Sequence, residues 1–201
     1  MKGSNQVSLF LNTASKVLEE GLLVGSSSLT VELGDSKAAL ERAHLGIKML
    51  TDAYSITLAD VDAFYCLLGP GSNTGIRLGL TIPRTVYAFN PNIKCFGIPT
   101  LDLMCEKAPF AALSDRNGNF YLGEKKDGKV SIKRVDKKDA STLNSLPSIT
   151  LEKADKMAHE EIHNPNAIDI SIIDEMIANR EKFKDFSQDE ENYLPEYLLK
   201  I

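Results

Sequence analysis

The sequence predicts an α/β protein built in two lobes, and three features predict it. Over the first hundred residues, apolar runs of strand length alternate with apolar stripes at helical spacing. A glycine-rich turn, Leu68-Gly69-Pro70-Gly71-Ser72-Asn73-Thr74-Gly75, joins the run Val61–Leu68 to one such stripe. After Pro109 a second series of strands begins, marked by the hairpin signals Asn117-Gly118 and Asp127-Gly128. The expected division is 1–106 for a more complete N-terminal lobe and 107–201 for a smaller C-terminal lobe with a tail.

Val7–Leu11 reads as the first strand, running into Asn12-Thr13-Ala14-Ser15. Gly21–Gly25 and Leu29–Leu33 read as two more, with a serine turn between them. Asp35 and Ser36 can cap a helix whose apolar stripe holds Ala39, Leu40, Ala43, Ile47 and Leu50. Leu45 and Met49 stand beside that stripe, and Gly46 thins one face, so the stripe fits either packing on its own sheet or an interface. A helix follows the glycine-rich turn through Ile76, Leu78, Leu80 and Ile82, then a strand at Lys94–Ile98 and a helix from Pro99. In the second half Phe110–Asp115, Phe120–Gly123 and Val130–Val135 read as strands, 136–144 as a polar helix and Ser148–Leu151 as a strand. Asn166–Glu181 reads as an amphipathic helix through Ile168, Ile172, Ile173, Met176 and Ile177.

The turn itself admits two functions. Gly69 and Gly71 reach backbone conformations closed to other residues, Pro70 fixes a torsion, and Ser72, Asn73 and Thr74 are N-cap residues. Gly75 and Gly79, four apart, share a helix face that another backbone could approach. A strand–turn–helix of this kind either packs tightly or presents N–H groups to an anion. It is not a Walker loop, since no Gly-Lys-Ser/Thr follows, and it lacks dinucleotide spacing.

Gly-Pro-Gly-Ser-x-Thr-Gly-x-Arg-x-Gly-Leu, over Gly69, Pro70, Gly71, Ser72, Thr74, Gly75 and Arg77 to Leu80, resembles the signature of the TsaB (YeaZ) family, with Asn73 where the family has Phe. The resemblance is strong from Ala59 to Leu103. It implies the glycoprotease-like branch of the actin/Hsp70/sugar-kinase superfamily (the ASKHA fold): two ribonuclease-H-like lobes with mixed five-stranded sheets flanked by helices. It implies a non-catalytic scaffold that dimerises with a TsaD-type subunit, is joined by a TsaE-type ATPase, and supports threonylcarbamoyladenosine formation in tRNA. The chain would bind no cofactor alone, with ATP or ADP at the interface of the complex, and would form a homodimer when alone. The implied dimer surface holds Ala39, Leu40, Ala43, Ile47, Leu50, Ile76, Leu80 and Arg84. Asn12 stands where the family carries an acidic residue, and the strand after it arrives early, which argues against nucleotide binding. Thr100 and Met104 stand where TsaD-like chains carry two metal-binding histidines. Ser114-Asp115-Arg116 and Leu194-Pro195-Glu196-Tyr197-Leu198 resemble further TsaB segments.

Composition sets outer limits. A chain of 201 residues with 43% hydrophobic residues can bury a real core. Net charge −5 disfavours a protein that grips nucleic acid unaided, so tRNA contact is expected through the complex. The basic run Lys125, Lys126, Lys129, Lys133, Arg134, Lys137 and Lys138, broken by Asp127, Asp136 and Asp139, reads as a solvated hairpin face in preference to an RNA patch. Cys66, Cys95 and Cys105 are odd in number and lie largely in apolar runs, as expected for reduced thiols in the cytoplasm. No stretch is long and apolar enough to span a bilayer.

Two other functions remain open from the residues. His159-Glu160-Glu161-Ile162-His163 matches His-Glu-x-x-His, the zinc-peptidase pattern, with Glu160 as base. Asn164-Pro165 follows at once, and proline disfavours helix at the residue before it, so the helix is expected to end at His163. The polar surroundings favour a chance match, with no catalytic residue and no metal at His159 or His163. The remaining alternative is a nucleotide-binding, kinase-like member of the same superfamily. His44 reads as a rim residue.

Overall fold

Both sheets follow one plan. The computed structural model describes residues 6–35, 39–115 and 117–187, without the side chain of Leu40. In the first half, strands β1 (Val7–Asn12), β2 (Val17–Val24) and β3 (Ser27–Asp35) form an antiparallel meander. β4 (Ala63–Leu67) and β5 (Lys94–Ile98) then add in parallel on the other side of β1. In the second half, β6 (Phe110–Ser114), β7 (Phe120–Lys126) and β8 (Lys129–Val135) repeat the meander. β9 (Ile149–Glu152) and β10 (Ala167–Ile170) repeat the parallel addition beside β6. A two-residue strand, β11 (Lys184–Asp185), pairs antiparallel with β5, so the first sheet has six strands rather than five.

The sequence explains this arrangement locally. β4, with parallel neighbours on both sides, is buried throughout and reads as an unbroken apolar run, and β1 beside it, antiparallel to β2, is buried throughout as well. Asp127 and Gly128 both take positive φ, 50° and 76°, the turn that matches the twist of a two-residue hairpin.

Helices α1 (Ala39–Ala53) and α2 (Asn73–Phe89) cover the outer face of the first sheet. The short helix α4 (Lys156–Glu161) and a 3-10 segment at Lys137–Ser145 cover the outer face of the second. Between the sheets lie α3 (Thr100–Met104) and α5 (Ile172–Ala178), and the halves exchange them. α3 packs on β6, β7 and β8, whereas α5 packs on β1 and β2. The central core therefore mixes both halves, joining Phe10 and Tyr65 to Leu101, Leu113, Ile172 and Met176. A boundary at residue 106 separates the sheets, but α3 and the segment from α5 to β11 each cross it.

Four expectations need correction. The second strand starts at Val17, not Gly21, because Val17, Glu19 and Glu20 already pair with β3. Asp35 ends β3 rather than capping a helix, and Ser36 lies outside the described residues. The polar segment after Asp136 is 3-10 rather than α. Asn166–Glu181 is not one helix: Ala167–Ile170 pairs with β9, and the Ser171 side chain accepts the Asp174 N–H to start the shorter α5.

Candidate functional site

The glycine-rich turn is committed to holding the β1–β2 loop. Gly69, at φ 90°, turns the chain out of β4. Ser72 caps α2, its hydroxyl accepting the Gly75 N–H at 3.2 Å, and its own N–H donates to the Ala14 carbonyl at 2.7 Å. A Cβ on Gly71 would stand 2.4 Å from the Ala14 oxygen, and one on Gly75 would stand 1.7 Å from the Thr13 oxygen. One on Gly79 would stand 2.6 Å from Thr13 Oγ1, and that hydroxyl donates to the Gly75 carbonyl at 2.6 Å. Gly71 and Gly75 are thus explained by close backbone approach, the packing alternative, whereas Gly79 makes room for the Thr13 side chain rather than for a backbone. Arg77 is exposed on the solvent side of α2.

Above this contact a cleft of about 260 Å³ opens between the sheets. One wall is Ala14, Ser15 and Lys16 with Gly71, Ser72 and Asn73; the other is Leu113, Ser114, Asp115, Asn117 and Tyr121. Asp115 spends its carboxylate internally, accepting the N–H groups of Asn117 and Asn119 and pairing with Arg134 at 3.1 Å. These contacts hold it below the usual carboxylate range. Arg116 lies outside the described residues. The C-terminal wall copies the cap on the other side. Asp155 caps α4 through the Ala158 N–H, and accepts Ser114 N–H at 2.7 Å and Ser114 Oγ–H at 2.6 Å.

Asn12 is fully buried and donates its amide to Glu19 Oε2 at 2.8 Å. Burial pushes Glu19 above its ordinary value, against the lowering effect of that hydrogen bond. An amide in this place binds a carboxylate that a second acid would repel. Glu152, at the end of β9, is buried near the same loop. Burial raises it to about 8, and Asp155 and Glu19 push it the same way. Glu20, on the opposite face of β2, is buried beneath α1 and likewise raised to about 8 by burial. Among the described residues Glu20 has no hydrogen-bonded carboxylate oxygen, whereas Ser15 and the Lys16 backbone interact with Glu152 and partly oppose the rise. A Cβ on Gly46 would stand 2.3 Å from Glu20 Oε2. Gly46 therefore makes room for a carboxyl of its own chain, not for a partner. Glu20 and Glu152 were missed in the sequence, where a carboxylate within a strand gives no sign of which face it takes.

The expected dimer residues mostly face inward. Ala39, Ala43, Ile47, Leu50, Ile76 and Leu80 are all buried within this chain. Ile47 and Leu50 pack with Leu9, Leu22 and Phe64, whereas Ile76 and Leu80 pack with Phe10 and Cys66. Arg84 is half-buried, and the Leu40 side chain is outside the description. The outward apolar residues are Leu45 (48% exposed) and Met49 (55%) on α1, and Phe89 (87%) at the end of α2.

No model of a known protein family matches the chain. It is 30% identical over 126 residues to a Mycoplasma pneumoniae protein described as an uncharacterized homolog of MG208. That alignment spans 58% of this chain and 63% of the relative's length. YeaZ from Pseudomonas aeruginosa superposes on 94% of the chain, with 98% of its own length, at TM-score 0.64 and 16% identity. A crystal structure of an uncharacterized protein, described as similar to the peptidase YEAZ from Pseudomonas aeruginosa, superposes at TM-score 0.65 and 17% identity over 94% of this chain and 100% of its own. The fold is that of YeaZ.

Within this YeaZ fold the His-Glu-x-x-His match is not a helical pair. α4 ends at Glu161 and the chain turns extended at Ile162, so His163 leaves the face that His159 occupies. His159 Nε2 lies 3.2 Å from the Glu152 carbonyl and 3.8 Å from Asp169, while the His163 N–H donates to Asn144. Among the described residues no three His, Cys, Asp or Glu side chains gather as a metal site would require. Burial raises the Cys66 thiol far above its ordinary value, Cys95 to about 11 and Cys105 to about 12, which keeps all three protonated at neutral pH. No helix among the described residues is long and apolar enough to cross a membrane. The Leu194–Leu198 segment lies outside the described residues.

Proposed function

We infer that this chain is a TsaB-type, non-catalytic scaffold subunit. It pairs with a TsaD-type subunit and supports threonylcarbamoyl transfer to the adenosine next to the anticodon of tRNA. The observation that carries this is the signature turn seated on the β1–β2 loop: Gly71, Gly75 and Gly79 each admit Thr13 or Ala14 within a distance no side chain would tolerate. A YeaZ fold over 94% of the chain supports the same reading.

The cleft supports a scaffold over a catalyst. Asn12, Ser72, Ser114, Asp115 and Asp155 all make hydrogen bonds inside the protein that fix the two walls. Dimerisation takes place on the outward faces of α1 and α2, with Leu45, Met49 and Phe89 as apolar anchors. Alone, the chain forms a homodimer through these faces. With partners it works in the cytoplasm beside a TsaE-type ATPase, and ATP or ADP binds at the interface of the complex. Reconstitution tests this: tRNA modification by the TsaD-type subunit should require this chain, and modification unaffected by its omission would reject the reading.

One observation favours a second reading, nucleotide binding by the chain alone. Lys16 and Ser15 line the cleft opposite Ser114 and Asn117. Calorimetric titration with ATP decides it, with heat of binding in favour and none against.

A further inference from the structure

The β7–β8 ribbon concentrates positive charge in an acidic chain. Residues 125–138 hold seven basic side chains and two acidic ones, against a net charge of −5 overall. Four of the seven are engaged: Lys125 with Glu106 at 2.7 Å, Arg134 with Asp115 at 3.1 Å, Lys137 with Glu161 at 2.8 Å and Lys138 with Asp136 at 4.0 Å. Lys126, Lys129 and Lys133 are exposed and form no ion pair among the described residues.

The pleat gathers these three on one face. The register sets Lys126 opposite Lys129 and Leu122 opposite Lys133, and alternate residues share a side. Lys129 and Lys133 are therefore about 13 Å apart along the strand at about 3.3 Å per residue. Glu124 is the carboxylate of the ribbon on that face, half-buried opposite Ser131. Like charges directly opposite one another destabilise a strand pair. The pair Lys126–Lys129 nonetheless flanks the tight Asp127-Gly128 turn, which fixes its geometry.

We propose that the Lys126–Lys129–Lys133 face of this ribbon contacts the phosphodiester backbone of the RNA on which the assembly acts. The inference rests on the proposed function and adds to it where RNA meets this subunit. A row of ammonium groups on a rigid ribbon neutralises successive phosphates without reading bases. Double-stranded RNA is met in this way, through backbone and shape. A membrane is the poorer match, because the ribbon tip, Asp127-Gly128, has no apolar residue to insert.

The test is fluorescence anisotropy of labelled, unmodified tRNA titrated with the complex of this chain and its TsaD-type partner over a range of salt. The variant is Lys126→Glu/Lys129→Glu/Lys133→Glu. The control, Lys153→Glu/Lys156→Glu/Lys184→Glu, makes the same charge change at other exposed lysines. The ribbon variant should bind tRNA at least tenfold more weakly than the control. Its slope of log affinity against log salt should be shallower by about 2, as expected for loss of three phosphate contacts at about 0.7–0.9 each. Equal affinity of the two variants overturns the proposal. So does loss of the partner, rather than of tRNA, from the ribbon variant on a sizing column, since that marks the face as a protein contact. If even the wild-type chain does not bind the partner, the functional reading falls, and the same titration on the chain alone still decides the ribbon.

Discussion

Gly75 and Thr13 share one point in space. A Cβ on Gly75 would lie 1.7 Å from the Thr13 carbonyl oxygen, and the Thr13 hydroxyl donates to the Gly75 carbonyl at 2.6 Å. The β1–β2 loop is thereby fixed to the first turn of α2, and with it one wall of the cleft.

Gly75→Ala should therefore destabilise the protein by about 3 kcal/mol, the upper part of the range for overpacking. Backbone is displaced on both sides, so relaxation is limited. Gly79→Ala should cost less, because its Cβ meets a rotatable hydroxyl at 2.6 Å. Urea denaturation of the two variants checks the order.

Buried carboxyls make stability depend on pH in the alkaline direction. Glu20 is raised from 4.5 to about 8 by burial. A carboxyl with a raised folded-state pKa favours folding fully below its unfolded value, and that advantage is lost as pH rises through the folded one. The window thus runs from about 4.5 to about 8, and Glu152 titrates over the same range. Glu20→Gln should leave stability at pH 4.5 little changed and raise it at pH 9 by on the order of 3 kcal/mol. Thermal unfolding from pH 5 to 9 measures this; equal slopes in wild type and variant would contradict it.

The C-terminal wall depends on Asp155. Asp155→Ala removes the cap of α4 and leaves the buried Ser114 N–H and hydroxyl without their acceptor. A loss of about 2–4 kcal/mol is expected from the cap and the orphaned donors together. Ser114→Ala, which keeps the backbone bond, should cost about 1 kcal/mol. Denaturant midpoints compare the two.

Much of this was legible in the sequence. The glycine spacing foretold a close backbone approach, which holds at Gly75 but at Gly79 is an approach of the Thr13 side chain, and the two hairpin signals after Pro109 foretold the second meander. The orientation of α1 was legible only as two alternatives, and its packing on its own sheet is the one the structure has. Ala43, Ile47 and Leu50 form the most apolar stripe of that helix, and such a stripe belongs to the chain's own core before it belongs to any partner. Ile168 and Ile170 fit helical spacing as well as strand alternation, and parallel pairing with β9 decided between them. β11 is two residues long, too short for any periodicity. The asparagine at position 12 is a visible departure in the sequence, but the Glu19 carboxylate it serves lies opposite it only in the folded pairing of β1 with β2.

The corrected surface separates partner binding from folding. Leu45→Asp and Met49→Asp change exposed residues and should fold normally. Ile47→Asp and Leu80→Asp place a charge in the core and should unfold the chain, by well over 3 kcal/mol for an unpaired buried charge. Circular dichroism distinguishes the two pairs.

Size-exclusion chromatography with light scattering, on this chain mixed with the TsaD-type subunit of the same organism, measures whether the two pair. A mass of one copy of each is predicted for the wild type, with the homodimer peak consumed. The folded Leu45→Asp/Met49→Asp variant should elute apart from the partner. A wild-type chain that keeps its own mass in the presence of the partner would contradict the account.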